Sequence, residues 1–321
     1  MKFLNKAAIR IALILALSAS GQMLHAQGIV NQALSWLPSE TTALEYANLS
    51  SLRSLPNYSS LRARYLGTNL QALETSLGRL GIHESDLSAI VLAWRANNGK
   101  SQYGGIAEGQ FDPAMVAQSA ETAHMRSQVI QGTKAFCISP DPQATCVAVL
   151  DDTTGLFGPA LYLDRILAAR AGKSPNLTQN AQFSHSLLTA QSDASGAPIW
   201  GVAVGPAAAK WLGAWMPGEK NLQMNWASAF KNVEAVTYNI EAGDDVTLSL
   251  KLECNSTNAA SSVLQLFQGL KLLQQMAWHS TNPNTPNPFQ SLQVESDNRQ
   301  VTLHLTADYT ALSQMGPLGH P

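Results

Sequence analysis

Charge is scarce in this chain. Lys, Arg, Asp and Glu make up 13% of its 321 residues, and the formal net charge is only −2. Basic residues are scattered and outnumbered, so nucleic acid is not an expected partner. Cysteine is limited to positions 137, 146 and 254, and these do not form a zinc pattern. No apolar run approaches the roughly 20 residues that a membrane-crossing helix needs. Neither a G-x-G-x-x-G nor a P-loop spacing occurs, and there is no G-x-S-x-G elbow. These absences leave no nucleotide cofactor and no serine-hydrolase motif to build on.

Acidic residues are missing from the first 26 positions, where Lys2, Lys6 and Arg10 precede a short apolar core from Ile11 to Leu17. Ser18, Ser20 and Gly21 break that core, and Leu24-His25-Ala26 offers a cleavage site before Gln27. This is the pattern of a secretory signal peptide over residues 1–26, cleaved after Ala26. The expected destination is the periplasm or the extracellular medium of a bacterium, with no stable membrane span after cleavage. No cysteine follows the apolar core, which argues against a lipid anchor. Cleavage leaves 17 Lys and Arg against 22 Asp and Glu, a net charge of −5.

An exported protein occupies a compartment where disulfides persist. In "AFCISPDPQATCVAVL" two β-prone runs flank Pro140-Asp141-Pro142-Gln143. A hairpin that pairs Ser139 with Ala144 also sets Cys137 opposite Cys146, within disulfide reach. A Cys137–Cys146 bridge is therefore expected, worth about 2–3 kcal/mol for so short a loop. Two buried free thiols are the alternative. Cys254 shares parity with Leu248, Leu250 and Leu252, and should face the core as an inert thiol.

Periodicity organises the rest. Residues 27–216 read as strands in pairs followed by helices, and residues 217–312 as a ββαββα module. The "MPGEKN" stretch separates them, and 313–321 reads as a loose tail. Val301, Leu303 and Leu305 alternate with Thr302, His304 and Thr306, the mark of a sheet with one face buried and one wet. The expected class is α+β: two modules of mainly antiparallel sheet with helices packed on one face.

Candidate sites are few. "GGIAEGQFDPAMVAQSA" places Gly104, Gly105 and Gly109 before a helix start, where phosphate is often bound. The same corner recurs, however, as Phe111-Asp112-Pro113, Phe157-Gly158-Pro159 and Val204-Gly205-Pro206. Each supplies a cap residue and then Pro at the first helical position. Three repeats describe a habit of the fold, and the glycines then read as strand irregularities or close backbone approaches. No two of His83, His124, His185, His279, His304 and His320 sit at metal-ligand spacing on one helix, so no metal is expected. Asp151-Asp152 and Asp244-Asp245 stand beside Gly155 and Gly243 as turn formers. Trp211 and Trp215 share a helix face, with Trp200 and Trp226 close by in sequence. These four form either a core seam or an aromatic surface for a glycan, a peptide or a lipid.

"LGIHESDLSAIVLAWR" followed by "GGIAEGQFDPAMV" resembles a pattern in uncharacterised exported bacterial proteins. In these a helix ends in Leu-Gly-Ile, here Leu80, Gly81 and Ile82, and an Asp, here Asp86, leads into an apolar strand. A glycine-containing strand then ends at Phe-Asp, here Phe111 and Asp112. The resemblance covers about a third of the chain. It implies a whole exported unit and carries no catalytic residue. The expected role is non-catalytic binding or interaction in the cell envelope, with an envelope protein, a glycan or a small apolar ligand as partner. Two alternatives stand beside it: a hydrolase whose site assembles across the fold, and a carrier of a small apolar ligand. A carrier requires a sizeable apolar cavity. A hydrolase requires a cleft that gathers residues such as His83, His124, His185, Asp151 and Asp244.

Overall fold

A computed structural model describes residues 28–59, 62, 68–97, 100–216, 225–281 and 287–314. The expected leader, the 217–224 stretch at the expected module boundary, and most of the expected tail lie outside them. Helix α1 (residues 28–36) comes first. Strand β1 (Thr41–Asn48), helices α2 (Leu49–Arg53) and α3 (Thr68–Arg79), and the hairpin β2 (Leu87–Asn97) and β3 (Lys100–Gly109) follow. After α4 (Pro113–Thr122) come β4 (Arg126–Ile130), β5 (Thr133–Cys137), β6 (Thr145–Val149) and β7 (Thr154–Pro159). Helices α5 (Ala160–Arg170) and α6 (Ala181–Asp193) lead to β8 (Ile199–Val204), α7 (Pro206–Trp215) and α8 (Trp226–Ala229). The chain closes with β9 (Val233–Ala242), β10 (Val246–Cys254), α9 (Thr257–Thr281), β11 (Gln293–Asp297), β12 (Gln300–Ala307) and α10 (Tyr309–Gln314).

All twelve strands join one antiparallel sheet in the order β11-β12-β10-β9-β8-β1-β2-β3-β7-β6-β5-β4. The class is α+β, as the periodicity indicates. The last third has the expected ββαββα order. The boundary expected at 216–217 does not interrupt the sheet, because β8 pairs with β9 from Ile199↔Ile240 to Val204↔Ala235. Six consecutive partners bind the two halves at their backbones.

Strand parity sorts the side chains onto two faces. On one face Ala43, Leu92, Ala107, Ile199, Val236, Leu250 and Val301 are buried together with Leu52 of α2, Val116 of α4, Leu212 of α7 and Phe267 of α9. On the other, Leu44, Tyr46, Val91, Ile106, Trp200 and Val202 are buried with Ile29 of α1, Leu163 of α5 and Phe183 of α6. Each large apolar side chain so buried contributes about 1.5–3 kcal/mol. The expectation of helices on one face therefore holds only beyond β9. There the second face is wet, and Ser249 Oγ and His304 Nδ1 lie 2.9 Å apart on it. In β1, β6, β7 and β8 residues of both parities are buried, whereas the outer strand β4 is mostly exposed.

Two elements carry weak sequence signals. Helix α1 buries Ile29, Val30 and Ala33, and Leu37 beyond its end, although its stripe is only two turns long. The β4–β5 hairpin turns at Gln131 and Gly132, both at positive φ (47° and 80°). Exposed polar residues dominate β4, so its period is hard to read. The Cys137–Cys146 bridge is present, with Cys137 directly opposite Cys146 and the Cα atoms 3.9 Å apart. Cys254 is buried and free.

Candidate functional site

The glycine-rich corner resolves into packing. A Cβ on Gly105 would sit 1.9 Å from the Val91 carbonyl oxygen, and one on Gly104 would sit 2.6 Å from the Tyr162 ring. Gly109 would place its Cβ 2.2 Å from the Asp86 carbonyl oxygen. The strand β3 backbone is thus pressed against its neighbours, with no room left for a phosphate. Asp112 caps α4 through Oδ1, which accepts from Ala114 N at 2.9 Å and Met115 N at 3.0 Å. Pro206 opens α7 as expected. Pro159 departs from the pattern: it ends β7 and is itself the cap of α5, because the helix begins one residue later.

Trp200, Trp211 and Trp226 do not form a surface. They are 3%, 3% and 2% exposed. Trp200 lies against Tyr46 on one face of the sheet, whereas Trp211 stacks on Tyr238 on the other, at 4.6 Å between ring centres. Strand parity separates these two rings. Gly201 makes the Tyr238 position fit, since its Cβ would meet that ring at 2.6 Å. Trp226 pairs with Phe230. The Trp215 side chain is outside the described residues.

The remaining sequence candidates are dispersed. His83, His124, His185, Asp151, Asp152, Asp244 and Asp245 are exposed. Asp151 holds its own turn by accepting from Thr153 N and Oγ1, each at 2.9 Å. Burial pushes that carboxyl up, but hydrogen bonds from Thr153 and Thr154 together outweigh it and hold it below the ordinary value. Among the described residues no group of three or more His, Cys, Asp or Glu is placed to hold a metal ion. Burial, with the Glu234 and Glu253 carboxylates, pushes the Cys254 thiol up, away from nucleophilic use.

What the fold does build is a cavity. It lies between α2, α3 and the sheet, is open to solvent at its mouth, and has a cavity volume of about 110 Å³. Leu49 and Leu52 of α2, Leu77 of α3, and Tyr58 form the helical side; Ile90 and Leu92 of β2, Ala107 of β3, Val147 and Val149 of β6, Phe157 of β7 and Ile199 of β8 form the sheet side. Phe111 and Leu87 close the end where β2 meets the corner before α4. Its wall is carbon almost throughout. Tyr58, Leu77, Ile90 and Val149 are only half-buried because the space lies between them.

Among the described residues, charge in the lining is confined to Arg62, Glu74 and Glu84. Arg62 Nε donates to Glu84 Oε2 at 2.6 Å, and Arg62 Nη2 donates to Glu74 Oε1. The guanidinium thereby ties α3 to the short turn before β2. Arg53 secures that turn from α2, donating to the Glu84 and Leu87 carbonyl oxygens at 2.8 Å each. Burial pushes the Glu84 carboxyl up, against the pull of Arg53. Glu84 Oε1 is shielded from solvent and has no hydrogen-bond partner. None of His83, His124, His185, Asp151 and Asp244 lines the space.

No family model and no curated protein matches the chain. Among solved structures it is similar to crystal form I of TP0453, with a TM-score of 0.52 at 9% identity over 88% of this chain and 94% of that one. Crystal form IV of TP0453 gives 0.46 at 10% identity over the same shares. The first likeness is one of fold. No helix among the described residues is long and apolar enough to cross a membrane.

Periodicity could not reveal the cavity. It marks Leu77, Ile90, Leu92 and Ala107 as apolar, but a void and a filled core need the same residue types. Arg62, Glu74 and Glu84 are separated by 12 and 10 positions and carry no local motif.

Proposed function

We propose that this protein is a non-catalytic, exported binder of a small apolar ligand, held in the cavity between α2, α3 and the sheet. The apolar cavity carries this reading: a wall of leucine, isoleucine, valine and phenylalanine gains by excluding water with a hydrocarbon guest. The candidate acid–base residues stand on the outer surface, away from the space, so the reading assigns no chemistry to the site. Export rests on the basic and apolar leader ending at Ala26 and on the Cys137–Cys146 pair, which suits an oxidising compartment. The resemblance to uncharacterised exported bacterial proteins points the same way.

The test is a titration of the mature chain with an uncharged apolar fluorophore such as N-phenylnaphthylamine. Saturable binding at one site per chain is expected. Ile90→Trp fills the cavity from β2 and is expected to weaken binding at least about tenfold, the consequence of removing the apolar contact area. Absence of saturable binding, or equal binding by the variant, overturns the cavity as the site.

A further inference from the structure

The size and the chemistry of the cavity together limit how much of a guest it takes. An apolar cavity of about 150 Å³ walled by Leu, Ile and Phe holds one benzene ring. The space of about 110 Å³ between α2, α3 and the sheet therefore encloses about four or five carbons. Its mouth is open, so the rest of a longer molecule stays outside. Leu52, Leu92, Ala107, Val147 and Phe157 present carbon to the enclosed part. A hydroxyl carried into it gives up its water and meets no partner on these walls, a loss that apolar contact does not offset.

We infer that the cavity takes the unsubstituted end of a single aliphatic chain, free in solution, with the polar group of the molecule left outside. This rests on the reading of the cavity as a ligand site, and adds which part of the ligand it recognises. Each carbon that enters leaves water and strengthens binding about fourfold. A chain within a bilayer is already out of water along its whole length. Enclosing only its last few carbons then gains nothing, so the guest is an amphiphile in solution and not a bilayer lipid.

Two uncharged isomers test this, 1,2-decanediol and 1,10-decanediol. They have the same composition, but only the first has an unsubstituted end. Each is titrated into the mature protein by displacement of N-phenylnaphthylamine, whose phenyl ring is itself an unsubstituted end. The 1,2-isomer is expected to bind at least about tenfold tighter, the scale of one hydroxyl buried without a partner. In Ile90→Trp the added ring occupies the space, and the difference between the isomers is expected to fall below about threefold. Equal binding of the isomers to the unaltered protein overturns the inference and leaves the cavity reading standing. The same holds if neither diol displaces a fluorophore that binds saturably. A tenfold difference preserved in Ile90→Trp places the preference outside the cavity and also overturns the inference. Phosphatidylcholine vesicles, removed by flotation after incubation, should leave no lipid phosphorus on the protein. Lipid retained at one per chain overturns the restriction to guests in solution. Failure of the fluorophore itself to bind saturably overturns both the inference and the reading beneath it.

Discussion

Tyr162 is a fully buried phenol beneath the Arg95 guanidinium, which sits 5.2 Å above its ring. Its hydroxyl lies 3.5 Å from Thr41 Oγ1. Burial pushes this phenol up to about 12, although Thr41 and Arg95 pull it down. Tyr46, packed against Trp200, is also pushed up to about 12, by burial first and then by Glu108. Both groups favour their protonated form more strongly in the folded state than in the unfolded one. Their contribution to stability is full below pH 10, the ordinary tyrosine value, and is lost as pH rises from there through about 12. Each is worth roughly 2–3 kcal/mol at most across that window. Unfolding in urea followed from pH 8 to pH 12 should show this loss. Tyr162→Phe keeps the ring and removes one titration, so its stability should fall with about half the slope. An unchanged slope would mean that Tyr162 does not couple to folding.

At the scale of elements, the strand-to-helix corners divide into two physical types. The α4 corner is held by a side chain, Asp112, which satisfies two amides of the first turn. The α7 corner is held by a backbone conformation, since Gly205 sits at φ 59° and ψ −140° with no side-chain cap. Asp112→Ala should cost about 1 kcal/mol through the lost cap. Gly205→Ala should cost about 1–3 kcal/mol through strain alone, because nothing lies within 4 Å of the added Cβ. Urea midpoints measured with unchanged m-values would give both numbers, and a neutral Gly205→Ala would mean that this corner relaxes. The corners could be read from Asp-Pro and Gly-Pro in the chain because caps and turns are local chemistry. Pro159 was displaced by one position because β7 extends through it to pair with Thr145, a non-local partner. The Cys137–Cys146 register was equally legible, since one short loop sets it. The β4–β5 hairpin was not: four of the five residues in β4 are exposed or only partly buried at an outer strand of the sheet.

For the molecule as a whole, the single sheet has a consequence for cooperativity. β8 and β9 share six backbone partners, and Trp211 of α7 stacks on Tyr238 of β9. Separating the chain near residue 217 would expose a long apolar strand edge on each part. Thermal unfolding of the intact mature chain should therefore be one cooperative transition, with calorimetric and van't Hoff enthalpies in agreement. Two resolved transitions would show that the halves fold independently despite the shared sheet.

The local chemistry of the sequence was sufficient for the class, the parity of β10 and β12, the starts of α4 and α7, and the cysteine pair. Those features depend on neighbours within a few residues, and alternation, caps and short loops write them directly into the chain. Tertiary structure decided the rest. It joined β8 to β9, covered both faces of β1, β6, β7 and β8, and placed Trp200 and Trp211 on opposite sides. It also left a space between α2, α3 and the sheet, with Arg62 between Glu74 and Glu84 at its charged end. A residue's type states that it prefers to leave water, but only the packing of distant elements determines whether the place it goes is filled or hollow.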